Sequence, residues 1–266
     1  MHISQDFGSM ATSGRDARRG IVGIDIDGVL NDHRVHFASL LKSLTGKILD
    51  PGAITTIPVH KIPHTDVTQL DEFAIFNWPA YWTEMPEMSG ARDGLRQIIS
   101  RQTDVRLFTR RPWPNPLTFP DELRRNYWHA WQKVTRWSRL TRTVWTVAER
   151  SASIQRRSQY LLDLPIRHIT GEWLRRLGFL YSRLTLDVPI ASNRGSRFEV
   201  ARRERFQAFI EDNLDNAIQL SSICPTVILI DQPYNQRDAT DLPSNVIRAP
   251  GWSAAVHHLE RTFLAR

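Results

Sequence analysis

The sequence predicts an α/β fold: a doubly wound parallel sheet with a small cap inserted after its first strand. Three observations predict it. Short apolar runs recur along the chain without the polar alternation of a sheet wetted on one face. Helix-length segments with one apolar face separate them, which is the pattern of strand–helix–strand crossovers. Carboxylates or a hydroxyl stand where several of the strands stop, the edge at which open α/β sheets bind ligands.

The first strand, Ile21 to Ile24, ends in Asp25, Asp27 and Gly28. Along an extended chain the two carboxylates face one side and Ile26 the other. Two such acids repel unless a cation or a shared proton offsets the repulsion. Gly28 lets the backbone turn sharply away. A helix is expected over His33 to Ser43, from the spacing of Val35, Phe37, Ala38, Leu41 and Leu44. Thr45 to Met88 has five prolines and the aromatics Phe73, Phe76, Trp78, Tyr81 and Trp82, with no strand–helix alternation. It marks an insertion, so the cap is set at 32–86 and the core at 20–31 and 87–266. His33, His36, His60 and His64 follow no metal-ligand spacing and are expected to be structural or surface groups.

The regular pattern resumes with a helix over Ala91 to Ser100 and a strand from Asp104 to Thr109. Pro112, Pro114, Pro116 and Pro120 then prevent immediate helix continuation. Asp121-Glu122 opens an amphipathic stripe of Tyr127, Trp131, Val134, Trp137, Leu140, Val144 and Val147, inside a Trp/Arg-rich insertion at about 112–165. The remaining elements are a helix over Glu172 to Leu180, a strand over Leu184 to Val188 and a helix over Phe198 to Phe206. A strand over Gln207 to Asp212, a helix over Leu214 to Ser222, a strand over Thr226 to Asp231 and a helix over Trp252 to Leu264 complete the core.

Composition excludes several classes. No apolar run approaches the roughly eighteen residues of a membrane span. Residues 1–19 are polar, lack the apolar core of a secretory signal, and are expected to be disordered. Cys224, the one cysteine, rules out an intramolecular disulfide framework and a multi-cysteine zinc site. It is expected to be buried and inert, in a cytoplasmic protein. Net charge is +7, and residues 121–205 hold 18 basic against 8 acidic side chains. That segment favours anionic partners, nucleic acid included. The excess of 31 arginines over 4 lysines also fits a general compositional bias.

Asp25/Asp27, Thr109 and Glu211/Asp212 close three different strands, so one crevice would gather at least four carboxylates and a hydroxyl. An oxygen-only set of this density suits Mg²⁺. Arg194, Arg197, Arg202 and Arg203 supply nearby cations.

The order of these motifs resembles that of the haloacid dehalogenase (HAD) superfamily, in particular its aspartate-nucleophile phosphatases. Asp25-Ile-Asp27-Gly28-Val29 is similar to the first motif, Thr109 stands at the second and Glu211-Asp212-Asn213 at the acidic fourth. Arg197, fourteen residues before Glu211, holds the place of the third-motif cation. Phe209 to Ala217, Asp231-Gln-Pro-Tyr-Asn235 and Val246 to Trp252 resemble the 5'(3')-deoxyribonucleotidase-like branch. The resemblance implies a HAD-like Rossmannoid core and a phosphomonoester hydrolase acting on a small phosphorylated substrate. Asp25 would be the nucleophile and Asp27 the acid and base. Mg²⁺ would be bound by Asp25, the Asp27 backbone carbonyl and Asp212, with Glu211 orienting a water or pairing with Arg197. Thr109 and Arg197 would hold phosphoryl oxygens. Substrate contacts would come from Gly28, Arg110 and the rings of Phe76 and Trp78, which could stack on a base or else fill the cap's own core. Dehalogenases and phosphonate hydrolases of the superfamily lack the second acid, so Asp27 points to phosphomonoesters. A nucleoside monophosphate is the first expectation. A nucleic-acid- or partner-binding protein on this scaffold, and a phosphatase for sugar phosphates or nucleic-acid ends, stay open beside it.

Overall fold

The computed structural model describes residues 20–76, 79–101, 103–109, 169–179, 184–187, 196–236 and 242–264. The expected disordered segment at 1–19 and the insertion at about 112–165 lie outside them, as do Trp78, Arg110 and Arg194.

Apolar strands build one sheet. β1 (Ile21–Asp25), β2 (Asp104–Phe108), β3 (Leu184–Asp187), β4 (Ala208–Glu211), β5 (Thr226–Ile230) and β6 (Val246–Ala249) line up in the order β3-β2-β1-β4-β5-β6. All neighbouring pairs are parallel. β1 lies between β2 and β4, with Ile24 opposite Leu107 on one side and Ile210 on the other. The chain winds outward from β1 through β2 and β3, then returns to β4, so the order reverses between β1 and β4. A crevice opens at the carboxyl ends of strands at such a reversal.

The helices are α1 (His33–Thr45), α2 (Gln69–Phe76), α3 (Pro79–Thr83), α4 (Ala91–Ser100), α5 (residues 169–176), α6 (Ser196–Glu204), α7 (Leu214–Ser221) and α8 (Trp252–Leu259). They divide between the two faces of the sheet by the strands' alternation. Val22, Ile24, Ile210 and Ile228 pack with Leu95 and Ile98 of α4 and Trp252 of α8. Phe209, Val227 and Leu229 point the other way, against Ala201 of α6 and Ala217 and Leu220 of α7. Gly23 belongs to this second face. A Cβ there would come within 2.3 Å of the Phe209 ring, so only glycine lets that ring lie flat on β1.

The segment between β1 and α4 carries α1 to α3 and two short 3₁₀ turns, with no named strand among its described residues. Asp32 caps α1 by accepting from the Val35 N–H at 3.3 Å, and Gly46 ends it in the left-handed conformation. The chain leaves and re-enters the core at one neck. The Asp32 N–H donates to the Pro86 carbonyl at 3.0 Å, and the Met88 N–H to the Leu30 carbonyl at 2.9 Å.

Several expectations need correction. Tyr81 and Trp82 are buried, and the half-buried Phe76 ring packs on Phe37, Tyr81 and Trp82 at 5.1–6.5 Å. Phe76 therefore takes part in the insertion's own packing, the second of the two roles expected for it. Arg202 and Arg203 are exposed on α6, and Arg203 pairs with the neighbouring Glu204. α6 begins two residues earlier than expected, which places Arg197 in its first turn. α8 stops at Leu259 and passes into a π-helical turn, Glu260–Leu264. β6 was not expected as a strand: four residues between Pro243 and Pro250 carry too little periodicity to be read. Cys224 is buried, as expected, and burial pushes its thiol up to about 12. Among the described residues no helix is long and apolar enough to cross a membrane.

Candidate active site

Register decides which side chains meet. Asp25 shares the face of Gly23, and Glu211 that of Phe209; both point toward α6. Arg197, in the first turn of α6, fills the space between them. Its Nη1 lies 3.4 Å from Asp25 Oδ2 and donates a short hydrogen bond to Glu211 Oε2. All three side chains are buried, as is Asp212 beside them. Buried charges on this scale persist only when paired. Glu211 also accepts from the backbone N–H groups of Asp212 and Asn213, at 3.2 and 3.1 Å.

Among the described residues the electrostatics remain unbalanced, with three buried carboxylates against one guanidinium. Burial pushes the Asp25 carboxyl well above its usual range; Arg197 offsets part of this, and Glu211 and Asp27 add to it. Burial likewise pushes Glu211 up to about 7, against the pull of Arg197. Asp212 rises to about 7 through burial and the Asp25 charge. Burial works against the Arg197 cation, yet Asp25, Glu211 and Asp212 hold it more firmly charged than a free arginine.

Asp27 departs from the expected geometry. β1 ends at Asp25, so Asp27 sits in the following turn instead of on an extended strand. Its Oδ2 accepts from the Thr109 hydroxyl at 2.5 Å and its Oδ1 from Asn31 Nδ2 at 2.8 Å. Asn31 Oδ1 in turn accepts from the Gly28 N–H at 3.1 Å, which closes the loop on itself. Thr109 lies just past the end of β2 and is fully buried. Gly28 adopts φ 86°, and a Cβ there would fall 2.0 Å from Asp212 Oδ2. Any side chain at this position must displace the Asp212 carboxylate.

Asp25, Glu211 and Asp212 each offer an oxygen within 4.8 Å of the others. Among the described residues Asp25 Oδ1 is buried with no hydrogen-bond partner, an open acceptor. An all-oxygen set with an orphaned carboxylate oxygen fits a hard divalent cation. The Asp27 carboxylate is engaged by Thr109 and Asn31 and is not in this group, which leaves its backbone carbonyl as the expected ligand; Glu211, expected beside the metal, is in the group.

Sequence reasoning missed Asn31, and it missed Tyr234, whose hydroxyl donates a short hydrogen bond to Asp212 Oδ2. Burial and the Asp212 charge hold that phenol protonated well above its usual range. His33, expected to be structural or surface, stands at the site's margin. Its ring lies 5.7 Å from the Tyr234 ring, and burial lowers its pKa. No spacing in the sequence ties position 234 to position 212. The link arises only when the turn after β5 folds back over β4.

No protein-family model matches the chain, and no curated protein does. Among solved structures, the chain is similar to an HAD family hydrolase from Deinococcus radiodurans R1 with bound phosphate and sodium. That match has 13% identity over 94% of this chain and 98% of that one, with a TM-score of 0.45. A β-phosphoglucomutase from Clostridium difficile is similar at 9% identity over 93% of this chain and 100% of that one, with a TM-score of 0.41.

Proposed function

We propose that this chain is a Mg²⁺-dependent phosphomonoester hydrolase of the haloacid dehalogenase superfamily, acting through an aspartyl-phosphate on Asp25. The observation that carries the reading is the meeting of Asp25, Asp27–Thr109, Arg197 and Asp212 at one crevice, from four separate elements. Asp25 is the nucleophile: it ends β1 at the place of the first-motif aspartate, and its Oδ1 has no hydrogen-bond partner among the described residues. It forms a bond to phosphorus as the bond to the leaving oxygen breaks. Asp27 gives its proton to that oxygen, then takes one from the water that hydrolyses the acyl phosphate. The Thr109 hydroxyl can donate to an ionised Asp27 and accept from a protonated one, so it keeps the carboxyl aimed through both halves. Arg197 stabilises the charge that builds on the non-bridging oxygens. Mg²⁺, held by Asp25, Asp212 and the Asp27 carbonyl, would neutralise the repulsion between two anionic reactants.

The segment 32–86 is read as a cap over this crevice, entered and left through the neck at Asp32 and Met88. A nucleoside monophosphate is the first substrate to try, on the resemblance of residues 209–217 and 231–235 to nucleotidases. Because Phe76, Tyr81 and Trp82 pack on one another, base stacking is left to rings outside that cluster. The test is phosphate release with Mg²⁺ across mononucleotides, sugar phosphates and 3'- or 5'-phosphorylated oligonucleotides. Release from mononucleotides supports the full reading, and release from another class moves the substrate assignment there. Release from none overturns the function.

Metal binding should also change stability with pH. The raised carboxyls bind protons in the folded protein between their usual values, 3.8 to 4.5, and about 7. Their contribution to folding is therefore fully present below about pH 4 and is lost as pH rises through about 7. A cation replaces the missing protons. Saturating Mg²⁺ (about 100 times its Kd) is expected to raise the melting temperature by about 5–10 °C at pH 8. The rise should be much smaller at pH 5, where protons compete. Equal shifts at both pH values would contradict a carboxylate-bound ion.

A further inference from the structure

The turn after β5, Asp231 to Asn235, has no part in the chemistry above, yet three of its side chains end at the crevice. Tyr234 donates to Asp212 Oδ2. Asn235 Nδ2 donates to the backbone carbonyls of Asp212 and Ile230, each at 2.7 Å. Gln232 Nε2 donates to the Gly28 carbonyl at 2.8 Å, across 204 residues of chain.

The turn is itself locked. Asn235 Oδ1 accepts from the Gln232 N–H at 3.1 Å and from Arg248 Nη1 at 3.0 Å. Arg248 also holds the Asn235 carbonyl at 2.6 Å and Asp231 Oδ1 at 2.8 Å. β6 thereby braces a turn that grips both carboxylate-bearing loops of the crevice.

We infer that this turn is a clamp for Asp212, with Tyr234 the positioning residue that decides which Asp212 oxygen faces the cation. The inference rests on the proposed metal site. Asp212 Oδ2 is walled in on two sides, by the Tyr234 hydroxyl and by the Gly28 backbone, where even a Cβ would lie at 2.0 Å. Asn235 fixes the Asp212 main chain, and Tyr234 removes the remaining freedom of the carboxylate torsion. Oδ1 is left as the oxygen presented to a cation. A carboxylate held in this way gives up little rotational freedom on binding, and losing such an outer partner costs about 10–100-fold in metal affinity.

Tyr234→Phe removes the hydroxyl and keeps the ring beside His33. With Mn²⁺ as the probe, read by electron paramagnetic resonance on the full chain at pH 8, the dissociation constant should rise about 10–100-fold. Unfolding should remain cooperative. Arg248→Met touches neither the carboxylate nor the ion, and it should weaken Mn²⁺ binding in the same direction by releasing Asn235. A turn that merely closes β5 would lower the melting temperature of both variants and leave the dissociation constant alone. A constant within about twofold of wild type in Tyr234→Phe, or in Arg248→Met should the first variant not fold, overturns the clamp. If wild type and Tyr234→Phe bind Mn²⁺ equally while Asp212→Asn does not, the clamp falls and the metal site stands. A wild-type protein that binds no Mn²⁺ overturns both.

Discussion

Asp25→Asn is expected to lower the rate of phosphate release by about 10,000-fold or more, the scale on which enzymes lose a covalent nucleophile. The same substitution should stabilise the metal-free protein above pH 7. Among the described residues Asp25 is one of three buried carboxylates facing a single guanidinium, and burial resists its charge more strongly than Arg197 favours it. An amide of the same shape removes that penalty, and Arg197 keeps Glu211 as its partner. Activity and stability therefore move in opposite directions, a signature that general damage to the fold does not produce. Steady-state phosphate release and thermal unfolding at pH 8 without metal check the pair of effects. Residual activity near wild type would remove Asp25 from the chemistry.

Arg197→Met should have the largest effect on stability. It leaves Asp25 and Glu211 buried without the one cation that pairs with them among the described residues. Breaking a buried pair by removing one partner costs about 3–5 kcal/mol, a large share of the 5–15 kcal/mol typical of a domain. The cost must depend on pH. The stranded carboxyls can be neutralised by protons, so the loss should be near its full size at pH 8 and clearly smaller at pH 5. Urea denaturation midpoints of wild type and variant at the two pH values measure this. A loss below about 1 kcal/mol at both would mean that Arg197 is not the counter-ion the geometry makes it.

Much of the architecture was legible because burial on both faces writes itself into composition. β1, β2, β4 and β5 are apolar runs that end at a turn or an acid, and each was located to within a residue or two. Arg197 and Glu211 were reached through the resemblance, as the third-motif cation and the fourth-motif acid fourteen residues apart, and the two side chains pair. The failures share a physical cause. β6 is a short edge strand whose place is set by pairing with β5, and its four residues carry no pattern of their own. The aromatic group of the insertion advertises stacking surface in sequence, but Tyr81 and Trp82 meet edge to face at 4.7 Å and leave no exposed face of their own. Asp27 was placed on the strand by alternation, whereas the Gly28 turn breaks the extended backbone and hands the carboxylate to Thr109 and Asn31. Tyr234 and Asn235 act across 22 and 23 residues of chain, through contacts that exist only after β4 and β5 lie side by side.

The claim on which the rest depends is that the phosphoryl group passes through Asp25. The protein, incubated with p-nitrophenyl phosphate and Mg²⁺ and quenched in acid during turnover, should carry an acyl phosphate that borohydride reduces to homoserine. Peptide mass mapping should find that homoserine at position 25 and nowhere else. Trapped label at another carboxylate, or continued turnover with an unmodified Asp25, would contradict the account.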